Sequence, residues 1–147
     1  MYKHILVPTD GSQLSMKAVR TAAALAKAVG ARLTGLSVMP ASTGFYTEGT
    51  AEGHAIVEKH LRDAHEKEAK KALAAVEIEA TAAGIPYDGM IAESEDAWKE
   101  VIQAATAKKC DLIVMGSHGR KGLEGLILGS VTVKVLTHTK IPVLVCR

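Results

Sequence analysis

Short runs of apolar residues alternate along the chain with longer segments of helical periodicity. The apolar runs have the length and composition of strands and lie at 4–7, 32–38, 87–92, 112–115 and 141–146. Between most of them, apolar residues recur three and four positions apart, which predicts helices. Five strands separated by helices predict an α/β fold with a parallel, doubly wound sheet.

The predicted helices have recognisable ends. The first can be capped by Ser12 or Ser15 and stops at Gly30, a residue type that often follows the last helical turn. The third starts from a cap at Ser94 and continues to Lys109. These residues place one helix after the first strand and another after the third.

The second helix is predicted over residues 55–83, a segment dense in Ala, Lys and Glu. Gly84 ends it, and Pro86 prevents its continuation. Residues 40–53 before it form the longest predicted loop. Apolar spacing predicts that one face of this helix is buried, with Ile56, Leu61, Ala64, Ala69, Leu73 and Val76.

Residues 130–139 are compatible with two structures. Val131, Val133 and Val135 alternate with polar residues as in a strand, whereas Ser130 is a good helix cap. Two parallel strands also need a crossover between them, and this crossover is usually a helix. We therefore predict a helix that Ser130 caps, followed by the last strand.

A glycine-rich segment joins the fourth strand to this helix. Residues 111–131 read DLIVMGSHGRKGLEGLILGSV, with glycines at 116, 119, 122, 125 and 129. Glycine lets backbone N–H groups approach an anion closely, and a helix N-terminus adds free donors and a positive dipole end. The order of strand, glycine-rich loop and helix therefore predicts phosphate binding, although the spacing fits neither a Walker A loop nor the dinucleotide fingerprint.

Four residues of this segment form the pattern Gly116-x2-Gly119-x9-Gly129-Ser130. The pattern resembles the ATP-binding signature of the universal stress protein family. The resemblance extends to the first strand with its Pro8-Thr9-Asp10 turn, the second strand and the Pro-Val-Leu-Val terminus. It implies one domain over residues 1–147, strand order 3-2-1-4-5 with helices on both faces, and ATP with Mg or Mn as the ligand.

Composition narrows the class of protein. The 147 residues are 48% hydrophobic and 23% charged, and the net charge of +2 does not indicate binding to nucleic acid or to an anionic membrane. No apolar run has the length of a transmembrane helix, and the opening residues do not have a signal-peptide pattern. Cys110 and Cys146 do not form a disulfide framework, so we expect buried thiols in a cytoplasmic protein.

In an open parallel sheet, ligands bind beyond the carboxyl ends of the strands, where the strand order reverses. In the implied order this point lies between the first and fourth strands, so segments 8–11 and 116–119 are expected to converge. The residues that we expect to contact the nucleotide are Pro8, Thr9, Asp10, Val38, Met115, Gly116, Ser117, His118, Gly119, Arg120, Gly129, Ser130, Val131 and Thr132.

Several of these residues have an alternative, purely structural role. Asp10 is expected to lie near the ribose or to hold Mg²⁺ against the phosphates, but it is also an ordinary turn residue. Pro8 and Val38 bracket an adenine according to the family resemblance. Arg120 and Lys121 either neutralise the phosphates or are solvated loop charges.

The histidines and the apolar loop have simpler interpretations. His54, His60 and His65 share a predicted helix without the spacing of a zinc site, so we expect solvated side chains. His118 lies in the glycine-rich loop and is expected to hydrogen-bond a phosphate. Residues 123–128 are too apolar for a free loop, which predicts that they anchor the loop to the core or cover a partner.

The family resemblance implies an ATP-binding regulatory protein of the stress response. One alternative is a slow ATPase or phosphotransferase at the same site, in which Asp10 and a metal assist; another is a relative that binds a partner and no nucleotide. The implied order leaves the apolar strand 143–146 at a sheet edge, which predicts a homodimer through that strand. In the alternative, a monomer, the apolar loop covers this edge.

Overall fold

The computed structural model describes residues 1–41, 48–120, 125 and 127–147. The described chain forms β1 (His4–Pro8), α1 (Gln13–Val29), β2 (Arg32–Met39), α2 (Ala51–Ala83), β3 (Tyr87–Glu93), α3 (Ala97–Ala107), β4 (Leu112–Gly116), α4 (Ser130–His138) and β5 (Val143–Cys146). The strands pair in parallel in the order β3-β2-β1-β4-β5. The α/β fold and the strand order predicted above are confirmed.

Apolar side chains cover both faces of the sheet, because its central strands are buried almost from end to end. On one face, α1 and the second half of α2 pack over residues such as Ile5, Val7 and Leu33. On the other face, α3 and α4 pack over Leu6 and Ile113. Two helices on each face give the doubly wound arrangement, with the crossover helix at 130–138 as predicted.

Polar residues at the amino ends of the strands form a hydrogen-bonded network. The hydroxyl of Thr34 lies 2.7 Å from Nε2 of His4 and donates to Oδ1 of Asp88 at 2.6 Å. Lys108 Nζ donates to the second carboxylate oxygen at 2.7 Å. Burial alone raises the pKa of Asp88, but hydrogen bonds from Lys108 and Thr34 outweigh this effect and lower the pKa below its ordinary value.

Both ends of α1 lie where the sequence predicted them, whereas the predicted cap of α3 is wrong. Ser12 caps α1 by accepting a hydrogen bond from the backbone of Ser15 at 3.3 Å, and Gly30 ends it in the left-handed conformation with φ 71°. Asp96 is the N-cap of α3. Ser94 instead accepts a hydrogen bond from the backbone N–H of Asp96 at 3.1 Å, because the chain turns there before the helix begins.

The prediction that Ser130 caps α4 is also wrong. Ser130 is already the first helical residue, and Gly129 is the N-cap. Gly129 adopts the extended conformation typical of caps, with φ −72° and ψ 162°, but it has no side chain to accept a hydrogen bond. The helix therefore begins without a side-chain cap.

α2 begins at Ala51, earlier than predicted, after a cap at Thr50. Ile56 and Leu61 are 60% and 51% exposed, and Ala64 is also exposed. The predicted buried face is therefore wrong for the first half of the helix, because the sheet supports only the second half. The buried residues of this helix all belong to that second half: Ala69, Ala72, Val76 and Ala80.

Cys110 and Cys146 are buried free thiols, as predicted. Burial raises the pKa of the Cys110 thiol to about 11, so it is protonated at neutral pH. Within the described ranges, no helix combines the length and the apolar character needed to cross a bilayer.

Candidate functional site

A crevice of about 890 Å³ opens at the carboxyl ends of the strands, between the N-terminus of α4 and the flank of α2. β1 and β4, whose crossovers run in opposite directions, are neighbours in the sheet beneath it. The crevice therefore lies at the switch point where a doubly wound sheet binds its ligands. Asp10, Gly119 and Arg120 line it together, so the two segments that the sequence predicted to converge do meet.

Asp10 connects the β1–α1 turn to the glycine-rich loop. Its Oδ1 accepts a hydrogen bond from the backbone of Ser12 at 2.9 Å, and its Oδ2 accepts one from the backbone of Arg120 at 2.7 Å. Burial alone raises the pKa of Asp10, but the hydrogen bonds from Ser12 and Arg120 outweigh it, and the pKa lies below its ordinary value. The wall of the crevice thus carries a fixed, charged carboxylate at neutral pH.

Close contacts within the protein leave little room for a side chain at two glycines of the sequence pattern. A Cβ on Gly119 would lie 2.8 Å from Oδ2 of Asp10, well inside contact distance. A Cβ on Gly129 would lie 3.2 Å from the carbonyl oxygen of Ser117. Glycine at these positions therefore lets the loop close on itself, in addition to any approach that it allows to a ligand.

The start of α4 is fixed against the end of β4. Gly129 donates its backbone N–H to the carbonyl of Ser117 at 2.6 Å, and the hydroxyl of Thr132 donates to the carbonyl of Gly116 at 3.0 Å. Because this helix has no side-chain cap, the N–H groups of its first turn remain as donors beside the crevice. The positive end of the helix dipole adds to their attraction for an anion.

Two ion pairs join α2 to the other walls of the crevice. Nη1 of Arg120 lies 3.1 Å from Oε2 of Glu68, and Nη2 of Arg62 lies 3.1 Å from Oε2 of Glu93. All four side chains remain accessible to solvent, so neither pair contributes much to folding stability. They pair charged side chains of α2 with the loop after β4 and with the end of β3 beside the crevice.

The predicted site residues divide into those that line the crevice and those that lie beneath or beside it. Thr9, Met115, Gly116 and Ser117 are buried beneath the crevice, and Pro8 and His118 are partly buried outside its lining. Lys121, Leu123 and Leu126 lie outside the described residues, as do Phe45 and Tyr46 of the predicted long loop. The predicted residues that line the crevice are Asp10, Val38, Gly119, Arg120, Gly129, Ser130, Val131 and Thr132.

His118 is held by its neighbour in the loop. Its Nδ1 lies 3.1 Å from the hydroxyl oxygen of Ser117. Its Nε2 is buried and has no hydrogen-bond partner among the residues that the structure describes. Neither ring nitrogen lines the crevice, so a direct contact between His118 and a phosphate stays a prediction.

The sequence pattern did not indicate two walls of the crevice. One wall is α2, whose contributing side chains recur three and four residues apart along one face: Glu58, Leu61, Arg62, His65, Glu68 and Ala69. The other is the connection from the end of β3 to the start of α3, residues 93–98, which the rule that ligands bind beyond carboxyl ends could have indicated. Trp98, in the first turn of α3, packs against His138, with 4.5 Å between ring centroids and the two rings tilted by 39°.

Carboxylates predominate among the described residues that line the crevice. They are Asp10, Glu58, Glu68, Glu93, Glu95 and Asp96, against the cations Arg62, Arg120 and Lys134 and the imidazole of His65. Within the described ranges, no three His, Cys, Asp or Glu residues are grouped so as to hold a metal ion. His54, one of the three α2 histidines, lies with Nε2 2.6 Å from the carbonyl oxygen of Glu48.

The fold and the crevice define a doubly wound α/β protein with a ligand site at its switch point and a helix N-terminus directed at that site. The chain belongs to the universal stress protein family, whose sequence model matches residues 1–147. The universal stress protein MJ0531 of Methanocaldococcus jannaschii is 35% identical over 149 residues, which cover 100% of this chain and 83% of that protein. YxiE of Bacillus subtilis is 34% identical over 151 residues, with 100% of both chains covered.

Solved structures show the same architecture. The universal stress protein UspA from Lactobacillus plantarum matches with a TM-score of 0.83 and 27% identity, over 99% of this chain and 98% of that one. A universal stress protein in complex with cAMP matches with a TM-score of 0.66 and 24% identity. A universal stress protein from Archaeoglobus fulgidus in complex with dAMP matches with a TM-score of 0.64 and 19% identity. At these lower identities, what the two complexes share with this chain is the fold.

Proposed function

We propose that this protein binds ATP, together with Mg²⁺ or Mn²⁺, and acts as a nucleotide-binding regulatory protein in the stress response. The observation that carries the proposal is the N-terminus of α4, which has no side-chain cap and borders the crevice. Such a terminus is a ready anion site, and it ends the glycine pattern on which the family resemblance rests. The complexes of two structural relatives with cAMP and dAMP support an adenine nucleotide as the ligand.

The lining residues supply the contacts that a nucleotide needs. The backbone N–H groups of Gly119 and Ser130 and the hydroxyl of Ser130 offer donors for the phosphates, and Gly129 lines the crevice without a side chain in the way. Val38, partly buried at the end of β2, offers an apolar surface for the base. Asp10 lies where a charged carboxylate serves either the ribose or a cation bound to the phosphates.

The charge of the crevice supports binding of the nucleotide as a metal complex. Because carboxylates predominate in the lining, they repel a free triphosphate, and a divalent cation removes most of this repulsion. Of the lining carboxylates, Asp10 is the one that two backbone hydrogen bonds hold in place. Each of its oxygens retains a lone pair, so Asp10 is the residue that we propose to hold the cation beside the phosphates.

A second candidate function is slow ATP hydrolysis or phosphoryl transfer at the same site, with Asp10 and the metal assisting. The lowered pKa of Asp10 makes it a weak general base. This observation favours a site that binds ATP over one that hydrolyses it efficiently. Turnover of radiolabelled ATP by the wild type and by Asp10→Ala distinguishes the two functions.

We also propose a homodimer formed through β5. This strand is at an edge of the sheet, and Leu144 is 39% exposed on it. Pairing with a second copy about a two-fold axis satisfies both edges in an antiparallel ladder. In the predicted alternative, a monomer, residues 123–128 cover this edge of the sheet. Ile127, which belongs to that segment, is 70% exposed.

Thermal unfolding in the presence of nucleotides tests the proposed function. A ligand at one hundred times its dissociation constant adds about 2.7 kcal/mol to the free energy of unfolding. We expect Mg-ATP to raise the melting temperature more than Mg-GTP, NAD or FMN does, and more than ATP does in the presence of a chelator. If saturating Mg-ATP leaves the melting temperature unchanged, this proposed function is wrong.

A further inference from the structure

The guanidinium of Arg120 lies at the rim of the crevice, between α2 and the β1–α1 turn. Its Nη1 lies 3.1 Å from Oε2 of Glu68 on α2. Its Nη2 lies over the β1–α1 turn, 3.3 Å from where a Cβ on Gly11 would be. The backbone N–H of Arg120 is fixed by Asp10 at 2.7 Å. The cation that follows Gly119 is therefore already paired with a carboxylate of the protein.

This ion pair is weak compared with the contact that a phosphate can offer. The Arg120 and Glu68 side chains are 52% and 63% exposed, and a pair so open to water contributes little. A terminal phosphate carries more charge than a carboxylate and accepts two parallel hydrogen bonds from a guanidinium. A phosphate chain that reaches Arg120 therefore has an advantage over Glu68 for the same group.

We propose that Glu68 competes with the nucleotide for Arg120 and thereby sets the selectivity of the site between long and short phosphate chains. The proposal rests on the proposed function of nucleotide binding. ATP extends far enough to recruit Arg120 and displaces Glu68, whereas AMP, with its one phosphate at the α4 N-terminus, leaves the pair intact. The affinity for ATP, and not that for AMP, is reduced by the presence of the Glu68 carboxylate.

Calorimetric titration of Mg-ATP and of AMP into the wild type, Glu68→Gln and Glu58→Gln tests this role. Glu58 is a matched control, because it lies on the same helix and lines the same crevice, and no ion pair to it occurs within the described ranges. We expect Glu68→Gln to bind Mg-ATP about two- to fivefold more tightly, as expected for release of an exposed ion pair, with no change for AMP. Glu58→Gln is expected to change both affinities by less.

A second set of variants shows whether the effect passes through Arg120. In an Arg120→Gln background, Glu68→Gln should tighten Mg-ATP binding no more than Glu58→Gln does. The role of Glu68 is refuted if the two glutamine variants behave alike, or if the effect persists without Arg120. In either case a wild type that binds ATP leaves the proposed function intact. A wild type that binds neither nucleotide contradicts both proposals.

Discussion

The carboxylate of Asp10 accepts a hydrogen bond of 2.7 Å from the backbone N–H of Arg120, which is 110 positions further along the chain. The contact joins the loops after β1 and β4, adjacent strands at the switch point. Gly119 makes the contact possible, since any side chain there would meet the carboxylate. This wall of the crevice is therefore formed before a ligand binds, which reduces the ordering that binding requires.

Replacing Gly119 by Ala should disturb this contact. A Cβ at this position lies 2.8 Å from Oδ2 of Asp10, so the carboxylate must move. The backbone of Gly119 is not left-handed, which means that the substitution tests the steric contact alone. We expect the free energy of unfolding to fall by about 1–3 kcal/mol and the affinity for Mg-ATP to decrease. Urea denaturation and calorimetry measure the two effects.

The control for this prediction is the same substitution in an Asp10→Ala background. With the carboxylate removed, the new methyl group occupies vacated space, so Gly119→Ala should cost clearly less there. Equal costs in the two backgrounds would show that Asp10 is not the group that excludes a side chain at Gly119.

Asp10 should also contribute to the acid sensitivity of the protein. Its pKa in the folded state lies below the ordinary value of 3.8, so its charged form stabilises the fold above that pH. The contribution decreases as the pH falls below 3.8 and through the folded pKa. We expect the difference in unfolding free energy between the wild type and Asp10→Asn to shrink over this range. Denaturation curves at successive pH values measure the difference; one that grew on acidification would contradict the assignment.

Thr34 should stabilise the amino ends of the strands, at the end of the sheet away from the crevice. Thr34→Val keeps the shape of the side chain but leaves His4 and Asp88 without their shared hydroxyl. We expect a loss of about 1–3 kcal/mol in the free energy of unfolding, measured by urea denaturation. Thr106→Val is the control, because that hydroxyl donates to Ile102 on an exposed helix surface. If both variants lose a similar amount of unfolding free energy, the network of Thr34 contributes no more to stability than an exposed helical hydroxyl does.

The dimer proposal predicts that Leu144→Lys shifts the protein towards a monomer. The substitution places a charge in the middle of β5, where two edges would pair. Ile78→Lys is a suitable control, since Ile78 is 68% exposed on α2, which packs beside β2 and β3. Sedimentation at micromolar concentration measures the association state, and a monomeric wild type would show that the dimer proposal is wrong.

Most of the fold was predictable because its signals are local. The apolar run 112–115 lies between Asp111 and Gly116, and its length alone distinguishes a buried strand. The errors arise where a second element decides the outcome. At about 100° per residue, Leu61 shares a face with the buried second half of α2, whereas Ile56 lies on the opposite side, and periodicity does not show whether anything covers either residue.

The candidate site was also predictable only in part, because several of its contacts depend on a second element that is distant in sequence. The rule for parallel sheets brings the loops after β1 and β4 together, and both contribute to the crevice. The Arg120–Glu68 pair joins residues 52 positions apart, and no local pattern connects them. Ser130 was expected to be the cap, whereas Gly129 has this role, because the cap depends on where the preceding loop leaves the sheet.

The uneven burial of α2 has a consequence for how its backbone amides exchange hydrogen for deuterium. A helical segment without apolar packing opens at little cost in free energy, whereas one packed on a core opens only with the core. Amides near Ile56 and Leu61 should therefore exchange well before those near Val76. Glu68 immediately precedes Ala69, the first buried residue of the helix. One wall of the crevice thus unwinds and re-forms from its exposed end while the sheet beneath it keeps its structure.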